Sequence, residues 1–146
     1  MAKFMKRILC LDVGTKRIGV AISDPFGWTA QGLETIARQN AAKDFGKIAD
    51  LCHSYEVEHV IVGIPLNQEG EVGKEANKIN RFQKKLQVFF EEKKMPLLVE
   101  GWDERYSTAE AEERLIEMDV SRAKRRKVID KMAAVIILES YLREHS

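Results

Sequence analysis

The sequence has few of the residues that build special architectures. Two cysteines among 146 residues leave no disulfide framework, and Cys10 and Cys52 lack the CxxC or Cys/His spacing of a zinc site. Both sit in apolar patterns, which predicts buried, reduced thiols in a cytoplasmic protein. Three prolines and no Pro/Ser-rich stretch leave no linker, so a single domain over residues 1–146 is expected. No run approaches the roughly 20 apolar residues that span a bilayer, and no membrane partner is expected. The basic MAKFMKR start leads into an apolar run broken by Asp12, Gly14, Lys16 and Arg17, unlike the core of a signal peptide. An excess of one charge is also missing. With 24 Lys and Arg against 23 Asp and Glu the net charge is +1, so no global field points to nucleic acid. Only SRAKRRK, residues 121–127, is a strong basic block.

What is present is a core and a regular pattern. At 45% hydrophobic residues the chain can bury a substantial interior. RILCLDV, residues 7–13, is apolar on both alternating faces, Ile8 and Cys10 against Leu9, Leu11 and Val13, as in a central strand covered on both sides. Asp12 shares the face of Ile8 and Cys10. A turn at 14–16 leads into a second strand, 17–23, where Ile18, Val20 and Ile22 alternate with Gly19, Ala21 and Ser23; the small face admits close approach. A third strand is predicted over 28–37, then a helix over 41–55 capped by Asn40. VEHVIVGI, 57–64, reads as a buried strand, 74–93 as an amphipathic helix and LLVEGWDE, 97–104, as a fifth strand. Ser107 or Thr108 is the expected cap of the helix AEAEERLIEM, and a last helix covers 123–144. Three strands followed by αβαβαα predict an α/β fold, a five-stranded mixed sheet flanked by helices.

Three carboxylates stand where apolar residues are expected, and an ionised carboxylate on buried surface requires a partner. Asp12 ends a strand that is apolar on both sides, where it can face a bound cation or accept a backbone N–H in an Asx turn. Asp103 and Glu104 end the fifth strand, and parity alone leaves both in play. Asp130 has Ala133, Ala134, Ile137 and Tyr141 as helical neighbours at about 100° per residue, an apolar arc. It is either a metal ligand or half of a buried ion pair with Lys127, Lys131 or an arginine. Lys124, Arg125, Arg126 and Lys127 lie one turn upstream. Acids from a first strand, a late strand end and a C-terminal helix can converge at one sheet edge, as metal-assisted phosphoryl transfer requires.

The segments LDVGTKRIGVAISDP (11–25), GIPLNQEGEVG (63–73), DERYST (103–108) and VIDKMAAVIILESYL (128–142) resemble the YqgF (RuvX) family, in order and over nearly the whole chain. The resemblance implies an RNase H-like fold akin to the RuvC resolvases. It also implies one of two nuclease roles, resolution of Holliday junctions or maturation of the 5′ end of pre-16S ribosomal RNA. It makes Asp12, Glu104 (with Asp103 adjacent) and Asp130 the catalytic acids. It further implies that Lys16, Arg17 and Arg105 touch the nucleic-acid backbone; Lys124, Arg125 and Arg126 of the basic block join them as candidates. Tyr106 stands where the family usually has Leu, and Gly32 where its TAxP-type sequences carry proline. The strand that bears an acid in RuvC-like resolvases ends here in GIPLN with none, which weakens a direct transfer of junction cleavage.

The chemistry expected is hydrolysis of a phosphodiester in an RNA precursor or branched DNA, with one or two Mg²⁺ (or Mn²⁺) ions held by Asp12, Glu104 and Asp130. Three carboxylates suit a hard cation better than zinc. Two other classes compete. DxGT before an apolar strand also resembles the phosphate hairpin of the actin-like ATPases, but those close two such domains around a nucleotide, and no GxxxxGK is present. A non-catalytic nucleic-acid or ribosome-assembly factor binding through its basic helix is the other. RNA against DNA, and monomer against homodimer, are not legible in the sequence.

Overall fold

The alternation in residues 7–13 divides the molecule into two layers on either side of one sheet. The computed structural model describes residues 7–66 and 69–145, the side chains of 106–110 and 129–131 excepted. Its elements are β1 (Arg7–Val13), β2 (Arg17–Ser23), β3 (Ala30–Gly32), β4 (Ile36–Ala37), α1 (Ala41–Ser54), β5 (Val57–Ile64), α2 (Lys74–Glu92), β6 (Leu98–Asp103), α3 (Arg105–Glu117) and α4 (Arg122–Glu144). The sheet runs β3-β2-β1-β5-β6, with β4 also on β2. β1 is antiparallel to β2 and parallel to β5, and β5 is parallel to β6, so the sheet is mixed. Among the described residues no helix is long and apolar enough to cross a membrane.

Leu9 and Leu11 face α1 and α2, packing in one core with Phe45, Ile48, Phe82, Leu86 and Phe90. Ile8 and Cys10 face α4 and join Ala134, Ile137 and Leu138 in a second core. Both leucines have no exposed surface, and burial on that scale stabilises by about 1.5–3 kcal/mol per side chain. α3 packs on α4. The two cysteines are free and buried, as their patterns predict. Asn40 caps α1, its side-chain oxygen accepting the Lys43 N–H at 2.9 Å.

Two local expectations are corrected. The single strand over 28–37 is two short strands, which makes six strands rather than five among the described residues. Ala21 pairs with Gly32 and Ile18 with Ile36, so residues 33–35 oppose only Gly19 and Val20, one extra residue and hence a bulge. The cause is spacing: Leu33 and Ile36 both pack into the α1/α2-side core, and residues three apart share a face only if alternation is broken. Trp28 and Thr29 precede the strand, in a turn where the Asp24 carboxylate accepts both their N–H groups at 2.6 and 2.9 Å. The second correction is that α3 starts at Arg105, before Ser107 and Thr108. Asp103 Oδ1 accepts the Arg105 N–H at 3.0 Å, one of the first-turn donors of a helix that begins before the expected caps.

Candidate active site

Two carboxylates meet at the carboxyl ends of the parallel strands. Asp12, the penultimate residue of β1, lies on the α4 side of the sheet with Ile8 and Cys10 and pairs across to Gly19. A backbone hydrogen bond closes the β1–β2 turn, the Gly14 N–H donating to the Arg17 carbonyl at 2.8 Å. A Cβ at Gly14 would stand 2.9 Å from that same carbonyl, so the turn requires glycine.

Alternation along β6 separates the two late acids. Leu97 and Val99 belong to the α1/α2-side core and Trp102 packs on the α4 side, so Glu104 falls with Trp102, on the side of Asp12. Its N–H donates to the Ile64 carbonyl at 3.3 Å, which ties it to the end of β5. A Cβ on Gly63 would stand 2.5 Å from Glu104 Oε2 and 2.8 Å from Ile137 Cδ1. Glycine in β5 therefore makes the space that the Glu104 carboxylate fills between sheet and helix.

Burial first, then the negative charges of Asp12 and Asp103, pushes the Glu104 carboxyl up to about 7. The buried Cys10 thiol is raised well above its ordinary value by burial and then by the same two acids, Asp12 and Glu104. Asp12, Glu104 and Cys10 thus lie close enough on one side of the sheet to feel one another's charge. Asp103 differs. Burial alone would raise it, but Arg105 outweighs that and holds its carboxyl below the ordinary range. Arg105 Nη2 lies 2.7 Å from Asp103 Oδ2, with Nε 2.9 Å from the same oxygen.

A cleft of about 550 Å³ opens beside Asp12, and its lining includes Arg17, Gly19, Gly32, Lys127 and Ala134. What the small face of β2 admits is α4: a Cβ on Gly19 would lie 3.7 Å from Ala134 Cβ, and on neighbouring β3 one on Gly32 would lie 3.5 Å from Val135 Cγ2. The Asp130 side chain lies outside the described residues. Lys127 and Ala134, three residues before it and four after, line the cleft. Among the described residues no group of three or more His, Cys, Asp or Glu is placed to hold a metal ion; Asp12 and Glu104 are the two acids brought together.

The basic residues expected to touch nucleic acid separate into two sets. Arg17 reaches the acid cleft, and Lys16, Lys124 and Arg126 are exposed. Arg105 is engaged with Asp103, and Arg125 is turned inward, its Nη1 donating to the Val120 carbonyl at 2.7 Å and its Nε 4.0 Å from Glu112. Lys127, read from the sequence as a possible partner of Asp130 but not as a nucleic-acid contact, closes the basic block one turn before the small-residue face of α4 and lines the acid cleft. A second basic set on α2, Lys74, Lys78, Arg81, Lys84 and Lys85, was also missed, because its cations are spread between core positions rather than in a run.

The family model named RuvX, described as Holliday junction resolvase, matches residues 6–144. A Desulforamulus reducens protein named "Putative pre-16S rRNA nuclease" is 52% identical over 136 residues, covering 93% of this chain and 96% of that one. Relatives of the same name from Listeria innocua and Clostridium tetani are 51% and 46% identical, each over 93% of this chain and 96% and 95% of their own. Among solved structures, Thermus thermophilus RuvC in complex with a Holliday junction substrate superposes with TM-score 0.53 at 16% identity, over 95% of this chain and 94% of that one. That likeness is one of fold and confirms the RNase H-like, RuvC-like architecture.

Proposed function

Because the chain belongs to the RuvX family, we propose that it is a divalent-metal-dependent nuclease that hydrolyses phosphodiesters in the 5′ extension of pre-16S ribosomal RNA. The observation that carries the reading is the convergence of Asp12 and Glu104, from β1 and the end of β6, close enough on one side of the sheet that the charge of Asp12 raises the Glu104 carboxyl. Pockets outside the carboxyl ends of parallel strands are where open α/β sheets bind ligands.

The donor set fits a hard cation. Burial, and after it the negative charges of Asp12 and Asp103, push Glu104 up to about 7; a divalent ion offsets that repulsion, and carboxylate oxygens are the ligands Mg²⁺ and Mn²⁺ prefer. Asp12 and Glu104 would hold it, with Asp130 as the third carboxylate on the strength of its motif. When bound, the ion supplies positive charge against the phosphoryl oxygens and a lowered pKa for the attacking water. Arg17 and Lys127 stand in the same cleft as Asp12 and would neutralise the substrate phosphate, positioning it without reading sequence. Arg105 acts through Asp103: it holds that carboxylate in an ion pair and leaves Glu104 as the acid that faces Asp12. The reaction is placed in the cytoplasm, with ribosome assembly.

The test is cleavage by the purified chain of a precursor RNA carrying the 5′ extension and of a four-way DNA junction, each with Mg²⁺ or Mn²⁺ and with EDTA. Metal-dependent trimming of the RNA is expected. Cleavage of the junction alone would transfer the family's other description to this chain, and cleavage of neither would remove the nuclease reading.

A further inference from the structure

A second cleft, of about 590 Å³, lies where the β1–β2 turn, the start of α1 and the side of α2 meet. It opens on the α1/α2 face of the sheet, opposite the acid cleft, and Gly14 lines both. Arg38 braces the shared turn from this second side. Its Nη1 donates to the Gly14 carbonyl at 2.6 Å and its backbone N–H to the Lys16 carbonyl at 2.9 Å.

The wall formed by α2 is basic. Lys78, Arg81 and Lys85 line the cleft, and Lys78 and Arg81 continue into an adjoining depression with Lys74 and Lys84. All five side chains are exposed. Positions 74, 78, 81 and 85 recur at helical spacing on one stripe, which spans about 16 Å at roughly 1.5 Å per residue. Two acids face this array. Glu75 lies 3.6 Å from Lys78 on the exposed surface, and buried Asp44 accepts the Gln39 N–H at 3.0 Å and stands 4.0 Å from Arg38. Lys74, Arg81, Lys84 and Lys85 form no ion pair among the described residues. The start of α1 adds no free anion site, because Asn40 caps it and Asp44 sits in its first turn.

A row of exposed cations, of which only Lys78 has an acidic partner among the described residues, fits a polymer of evenly spaced phosphates better than a single anion. We propose that this groove carries the sugar-phosphate backbone of the strand cleaved in the acid cleft, the strand passing from one face of the sheet to the other over the 14–16 turn. The inference rests on reading the acid cleft as a nuclease site. The competing occupant is an acidic protein surface. Continuity with the acid cleft at Gly14 favours the nucleic acid.

The test is fluorescence anisotropy with a labelled, unstructured RNA oligonucleotide in EDTA, titrated at several salt concentrations. Wild type is compared with Lys78→Ala/Arg81→Ala/Lys85→Ala and with a control, Lys47→Ala/Lys93→Ala. Three lost phosphate contacts at about 0.7 each lower the log–log salt slope by about 2, so between about 50 and 200 mM salt the wild type loses roughly 20-fold more affinity than the triple variant. The control keeps the wild-type slope, and Lys78→Arg/Lys85→Arg, which keeps the charge, does too. A triple variant with wild-type affinity and slope, folded by circular dichroism, overturns the proposal and leaves the groove to an acidic protein. Metal-dependent cleavage at wild-type KM by that variant overturns it as well, with the nuclease reading intact. RNA binding that shows the expected slope change in a chain that cleaves nothing supports the groove and removes the nuclease reading instead.

Discussion

Replacing Glu104 by Gln tests the electrostatics of the site without any substrate. An unfolded glutamate titrates at 4.5, and in the fold burial, Asp12 and Asp103 push this one up to about 7. Below pH 4.5 the carboxyl is protonated in both states and stability does not depend on it. As pH rises from 4.5 to 7 the unfolded chain releases the proton and the fold retains it, so stability falls. Above 7 the fold bears the full penalty. The 2.5-unit gap at about 1.36 kcal/mol per unit is about 3 kcal/mol.

Glu104→Gln removes the charge and keeps the shape. The variant should therefore gain about 3 kcal/mol relative to wild type at pH 8 and under about 1 kcal/mol at pH 5. The difference between the two pH values cancels any fixed effect of the amide, and for a chain of this size it corresponds to roughly 5–10 °C in Tm. Thermal melts of both proteins in EDTA at the two pH values measure it. Millimolar Mg²⁺ should then raise the wild-type Tm at pH 8 and leave the variant's nearly unchanged. A variant equally displaced from wild type at both pH values, or less stable at pH 8, refutes the reasoning.

Other substitutions report on the parts that hold the site. Gly63→Ala puts a methyl group 2.5 Å from Glu104 Oε2 and 2.8 Å from Ile137 Cδ1; chemical denaturation should show a loss of about 1–3 kcal/mol, and Mg²⁺ affinity should fall because the carboxylate is displaced. Arg105→Gln frees Asp103, whose carboxyl now lies below its ordinary value. The ion pair is partly exposed, so roughly 0.5–1 kcal/mol should be lost at pH 7. The loss should vanish as pH falls through the Asp103 titration, where wild type surrenders the same stabilisation. Leu138→Ala, in the fully buried centre of the α4-side core, should cost about 2–5 kcal/mol by equilibrium unfolding; a loss below about 1 kcal/mol would mean that α4 does not pack on the sheet as described.

How much was legible depended on whether the deciding information was local. Asp12 was placed on its correct face because seven residues of strict alternation carry their own parity. Asp103 and Glu104 could not be separated that way. Their parity is set by the register of β6 against β5 and by which core Val99 and Trp102 enter, and these are tertiary facts. The break between β3 and β4 was hidden for a related reason, since the odd spacing of Leu33 and Ile36 makes sense only once both are known to share a core. The α3 boundary was missed because an Asp two residues upstream, rather than the adjacent hydroxyls, accepts the first N–H. Among the cations, the block at 121–127 announced charge but not use. Arg125 serves the α3–α4 junction, while the stripe on α2 never forms a run at all.

The proposed metal-dependent nuclease site has Asp12 and Glu104 at its heart. The most direct measurement is cleavage of a precursor RNA with its 5′ extension by purified wild type and Asp12→Asn, in Mg²⁺, with folding of both checked by circular dichroism. Mg²⁺-dependent cleavage by wild type and none by a folded Asp12→Asn is expected. Equal cleavage by the two proteins would contradict it.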